Sequence, residues 1–319
     1  MEPLTWNGAL IWARVDEVMQ LVRIATVLSA LVCLATPAAA NSKENPCNTP
    51  DPGDGVYMPW SRDVSMGQIL LPRGGGITPR GGFDLLIHFH GHEAVRKQFV
   101  PVGGGIVMVG IDLGIGGAAY ANAFGSPNAF EDLLASIRTA VAKHHHRKRA
   151  FIRRLALSSW SAGYGAIDQI LRQPVAKKID AVILLDSLYA GYEDASRGAL
   201  KERAIEPFVE FARSAARGRR FMYQSHSRIR THGYATTREV SQYVVKHIGG
   251  KLRETRRKDR LGLWLTERFD RRGYHVRGYE GDNKAEHCGH IGIIRDVVKV
   301  HLRRRWRTPR AYIPRTSQR

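Results

Sequence analysis

The stretch Leu155–Ile167, Leu-Ala-Leu-Ser-Ser-Trp-Ser-Ala-Gly-Tyr-Gly-Ala-Ile, constrains the fold more than any other. An apolar run, Leu155-Ala156-Leu157, breaks off at Ser159-Trp160-Ser161-Ala162-Gly163, and a small-residue segment suited to a helix follows. A strand that passes straight into a helix needs a sharp turn. With Ser161 at its tip, the residues two positions either side, Ser159 and Gly163, must be small to avoid collision. Turns rich in serine and glycine are common in α/β proteins, so the context of the pentapeptide has to decide its meaning.

That context is an alternation of strands and helices. A chain of 319 residues is long enough for one large α/β domain or two modest ones. Strands are expected at Gln68–Pro72, Phe83–Phe89, Gly105–Asp112, Leu155–Leu157, Ala181–Leu185, Arg220–Gln224 and Tyr274–Tyr279. Helices are expected near Ala129–His145, Ala162–Leu171, Glu206–Ala216, Thr237–His247, Lys251–Arg268 and Ile293–Trp306. Such alternation implies a mostly parallel, doubly wound sheet with no separate lid domain. The domain is placed at 65–306, after an arm at 41–64 and before a basic tail at 307–319.

The first forty residues read as a targeting segment. Met19-Gln-Leu-Val-Arg is a short basic start, Ile24 to Leu34 is apolar, and Pro37-Ala-Ala-Ala40 is a cleavage site of the A-x-A kind. The segment 1–40 is therefore expected to be a signal peptide, with Met19 an alternative start, and the mature chain to be periplasmic or secreted. Its removal leaves Cys47 and Cys288, an even pair in an oxidising compartment, as a candidate disulfide.

Two tempting motifs carry less. His144-His145-His146 followed by Arg147-Lys148-Arg149 lacks the ligand spacing of a metal site and reads as a solvated basic helix end. The glycine runs at 74–76 and 103–105 do not continue into Gly-Lys-Ser/Thr and read as turns. No cofactor and no metal are expected.

Four of these strands are followed by a polar residue of catalytic type. His90-Gly91 follows Phe83–Phe89, Ser161 follows the elbow strand, Asp186 follows Ala181–Leu185, and His287 and His290 follow Tyr274–Tyr279. From Gln68 to Trp306 this order resembles the α/β-hydrolase superfamily, whose serine, acid and histidine come in that sequence. The resemblance implies a nucleophile at Ser161, an acid at Asp186 and a base at His287, with His290 the second choice. A serine hydroxyl is a poor nucleophile until a base takes its proton, and the base needs a buried carboxylate to hold its tautomer. The oxyanion would be met by the N–H groups of Ala162 and His92. Most of the superfamily carries the acid one strand later, but that strand ends in Gln224-Ser225-His226-Ser227, without a carboxylate; Asp282 is a competitor. Tyr120, Trp160 and Tyr189 are the pocket candidates, because open α/β sheets keep their sites at strand C-termini. His88, His90 and His226 lie near the same edge.

The charge balance, 49 Lys plus Arg against 29 Asp plus Glu for a formal +20, implies attraction to an anionic envelope polymer or lipid surface. No aromatic-basic motif accompanies it, so nucleic acid is the less favoured partner. The expected substrate is a small or polymeric ester. The readings that stay open are an envelope acyltransferase and a non-catalytic protein that binds an anionic polymer.

Overall fold

The computed structural model describes residues 46–194, 196 and 198–314, which belong to one compact unit spanning Lys43–Arg319. The expected signal peptide lies outside the described residues. The described residues form eleven strands: β1 (Gln68–Leu70), β2 (Gly74–Gly75), β3 (Gly82–Phe89), β4 (Val107–Ile111), β5 (Phe151–Trp160), β6 (Ala181–Leu185), β7 (Phe221–His226), β8 (Arg253–Lys258), β9 (Trp264–Arg271), β10 (Tyr274–Tyr279) and β11 (Ala311–Tyr312). Nine of them form one sheet in the order β1-β4-β3-β5-β6-β7-β10-β9-β8. The six strands from β4 to β10 run parallel, and the edges β1, β9 and β8 are antiparallel.

Burial on both faces explains why the central strands read as continuous apolar runs. All eight residues of β3 are buried, and so are all five of β4 and of β6. Side chains alternate between two cores, as a period of two demands. Leu85, Ile87 and Phe89 join one cluster and Leu86 the other; Val182 and Leu184 oppose Ala181, Ile183 and Leu185. The first core is closed by α2 (Gly117–Phe124), α3 (Pro127–His144), α4 (Tyr164–Leu171), α5 (Glu202–Ala216) and α6 (Thr237–His247). The second is closed by α1 (His92–Phe99) and α7 (Lys284–Asp296).

Three expectations are corrected. The helix expected at Lys251–Arg268 is instead the hairpin β8–β9. Leu265, Glu267 and Phe269 point inward between Thr266, Arg268 and Asp270, a period of two that the charged residues mask. Asp259 accepts from the N–H groups of Leu261 and Leu263 and closes the turn, which a solvated helix would not need. The last helix begins at Lys284 rather than Ile293, capped by Asn283, whose side chain accepts from Glu286 N. His287 and His290 therefore stand on a helix, not in a loop. Gly289 and Gly292 argue against a helix by propensity, but Gly289 packs so closely on Leu263 that a Cβ would meet it at 3.0 Å. Finally, the glycines at 74–75 form a strand paired with β11 instead of a turn.

The arm is anchored. Tyr57 is fully buried, its hydroxyl accepting from Gly105 N and donating to Ile106 O, and Cys47 is joined to Cys288 on α7.

Candidate active site

The chain passes from β3 to β4 on one side and then returns to place β5 on the other side of β3. Strand order reverses between β3 and β5, and an open α/β sheet keeps a crevice at the carboxyl ends of such a pair. His90 ends one strand and Ser161 the other.

The turn at Ser161 is as tight as the sequence requires. Ser161 has φ of 49°, in the left-handed region that costs a non-glycine residue about 1–3 kcal/mol. A Cβ at Gly163 would lie 2.2 Å from Phe89 O, so nothing larger fits there. Ser159 is accommodated because its hydroxyl has a partner. Ser187 Oγ donates to Ser161 O at 2.8 Å, and Ser159 Oγ donates to Ser187 Oγ at 2.8 Å. The hydroxyl that replaces the commoner glycine thus ties the turn to the loop after β6.

That loop carries Asp186, which is 1% exposed and has φ of 42°. One carboxylate oxygen accepts from Ser227 N at 2.9 Å and Thr237 Oγ1 at 2.6 Å; the other meets His287 Nδ1 at 2.6 Å. Burial alone would raise the pKa of this carboxyl. The neighbouring His290 and His287 and the hydrogen bond from Thr237 outweigh it and hold the group well below the usual carboxylate range. An ionised carboxylate only accepts, so Nδ1 carries the imidazole proton and Nε2 is left as the basic nitrogen.

His290 does a different job. It is fully buried and its Nδ1 is hydrogen-bonded to Ser225 Oγ at 2.8 Å, while the same oxygen accepts from Asp186 N at 3.1 Å. Burial lowers its pKa to about 4 and keeps the ring neutral. It braces the acid from behind rather than meeting it. Asp282 makes no hydrogen bond to either imidazole among the described residues.

Trp160 is a spacer, not a wall of the cavity beside Ser161. Its ring stacks on His90 at 5.2 Å and lies 4.7 Å from the His287 ring, and its Nε1 donates to His287 O at 3.0 Å. Tyr120 lies behind the site, fully buried, with its hydroxyl on His90 Nδ1, Leu113 N and Gly114 O. Tyr189 does line the cavity, together with His90, Ala162, Tyr164 and Tyr234, in a volume of about 360 Å³. The Tyr189 hydroxyl donates to Asp186 O at 3.4 Å. Among the described residues no hydrogen bond joins Ser161 Oγ to His287, an arrangement common before substrate binds.

Ala162 sits in the short turn Ser161–Gly163 with its residue buried against β3. After β3, His90 N donates to Ile111 O and Gly91 N to Asp112 Oδ1, so both are engaged. His92 opens α1, and its ring is held outside the cavity by Asp112 and Gln68. His88 is locked between Ser158 Oγ and His90 O, and His226 lies buried near Glu267. The residues missed by sequence reasoning are Ser187, Ser225, Thr237, Tyr164 and Tyr234, whose roles depend on contacts across strands. A larger groove, about 1050 Å³, runs between α6 and the β8–β9 hairpin, but no serine, cysteine or histidine lines it. Among the described residues no cluster of three or more His, Cys, Asp or Glu side chains could hold a metal ion.

No family model and no curated protein matches the chain. Among solved structures, the chain is similar to an uncharacterised protein from Capnocytophaga ochracea, at 11% identity and a TM-score of 0.39. The match covers 76% of this chain and 64% of the other, so the chain spans about two thirds of that neighbour's length at most.

Proposed function

We propose that the protein is a serine hydrolase of the α/β-hydrolase type, which cleaves a carboxylic ester, or less readily an amide, through an acyl-enzyme. The observation that carries the reading is the 2.6 Å pairing of His287 Nδ1 with the buried Asp186 carboxylate, set beside a serine on a strained strand-to-helix turn. In the first step Ser161 Oγ bonds to the carbonyl carbon and His287 Nε2 takes the hydroxyl proton. The carbonyl–alcohol bond then breaks and the proton passes to the leaving alcohol. Water repeats the sequence on the acyl-serine, releasing the acid and restoring the serine. The N–H groups of Ala162 and His92 are the proposed donors to the oxyanion.

The cross-link between Cys47 and Cys288 supports an oxidising compartment for the mature chain, periplasmic or secreted. No helix of the described residues is long and apolar enough to cross a membrane. The formal charge of +20 and an exposed basic edge strand, Arg253–Lys258, support attraction to an anionic envelope polymer or lipid surface.

The test is labelling with a fluorophosphonate probe. The wild-type protein is expected to label on Ser161, and Ser161→Ala to lose the label and at least about 10³-fold of esterase rate. An unlabelled wild-type protein would leave a binding role on the same fold. Labelling with transfer of the acyl group to added alcohol in preference to water would favour an acyltransferase.

A further inference from the structure

The cavity beside Ser161 has a composition at odds with the rest of the molecule. In a chain of net charge +20, its lining includes no Lys, Arg, Asp or Glu. It presents three tyrosines instead. The Tyr164 and Tyr189 rings are 5.7 Å apart and tilted by 58°, and Tyr189 meets Tyr234 edge-on at 5.5 Å and 82°. Gly116 and Gly117 add nearly bare backbone to the lining, and a Cβ at 117 would lie 3.1 Å from the Tyr164 hydroxyl. Ile115, 98% exposed, stands at the mouth.

Three arguments narrow what can enter. A charged group would lose its hydration and find no counter-charge on the walls. A volume of about 360 Å³ is at the small end of ligand pockets, roughly 300–1,000 Å³, and suits a compact group better than a long alkyl chain. Tilted and edge-on tyrosines offer ring faces and edges to a further ring, and such contacts are favourable beyond burial alone. From this juxtaposition we infer that the substrate is an ester with an uncharged aromatic ring within a few bonds of the scissile carbonyl. The inference rests on the hydrolase reading of Ser161.

The experiment separates the two. Fluorophosphonate labelling is measured first; its failure would sink the hydrolase reading itself. With a labelling-competent protein, kcat/KM is compared for methyl 3-phenylpropanoate against methyl hexanoate and monomethyl succinate, and for 2-phenylethyl acetate against hexyl acetate. A ring preference of about 10-fold or more on the acyl or the alcohol side is expected, and tells which side the cavity holds. The succinate ester should be the poorest of the three acyl substrates. Tyr234→Leu, at a residue 44% exposed and so tolerant of change, should bring the ring-to-alkyl ratio towards one, chiefly through KM. As a measurement independent of turnover, 3-phenylpropanamide should compete for the site and the 3-phenylpropanoate anion should not. Equal rates for ring and alkyl esters on both sides, or a Tyr234→Leu enzyme that keeps the full ratio, would overturn the inference while leaving the hydrolase intact.

Discussion

At the scale of single residues, four non-glycine positions in the left-handed region lie just past three parallel strands: His90 after β3, Ser161 after β5, and Asp186 and Leu188 after β6. Strain gathered at one sheet edge marks the place where side chains are aimed rather than merely packed. Each aimed group has its own test. Asp186→Asn retains the shape but cannot hold the same His287 tautomer, and an esterase rate about 10⁴-fold lower is expected. His287→Ala should fall to the level of Ser161→Ala. His290→Gln should instead label normally and show its effect in a denaturation curve, at about 1–3 kcal/mol, because the ring holds Ser225 and through it the Asp186 N–H. If His290→Gln abolished labelling and His287→Ala did not, the two imidazoles would have to exchange roles.

At the scale of elements, the turn that follows β5 is governed by its smallest residue. Gly163→Ala would drive a methyl group to 2.2 Å from Phe89 O, and a loss of about 3 kcal/mol or more is expected in urea unfolding. Ser159→Gly should cost only about 1 kcal/mol, the value of the hydroxyl link to Ser187. The parallel strands were legible in the sequence because burial on both faces leaves uninterrupted apolar runs, and the residues just beyond them were legible for the same reason. The β8–β9 hairpin was not. β8 is polar along its length, and β9 hides its alternation behind Glu267, a buried acid satisfied by Arg238. The start of α7 was obscured by its glycines, and the packing of Gly289 against Leu263 is a tertiary fact with no local signal. Trp160 and Tyr120 stand near His90 at one sheet edge, but which aromatic faces the cavity depends on neighbours distant in sequence.

At the scale of the whole molecule, three fully buried imidazoles govern the response to acid. Burial lowers His88, His226 and His290 from 6.5 to about 4. The unfolded chain takes up their protons below about pH 6.5 and the native chain does not until about pH 4. Stability should therefore fall as pH drops through that window, by up to about 3 kcal/mol for each histidine, and level off below it. The Asp186 carboxyl, with its pKa depressed, has the same sign but acts only below the ordinary carboxylate range, nearer pH 4 and lower. Chemical denaturation midpoints measured between pH 7 and pH 4 check this; a flat profile would show that these rings are not held neutral. Reduction of the bond between Cys47 and Cys288, or Cys47→Ser, is expected to cost about 2–5 kcal/mol, since the closed loop spans 241 positions.

The same bond has a consequence for covalent connectivity. Every element from β1 to β10 belongs to a macrocycle, which the chain enters at Cys47 and leaves at Cys288. A protease that nicks the exposed segment around Glu193 and Asp194 opens a ring rather than severing a string. The two products should migrate as one species on a gel without reductant and part only when thiol is added.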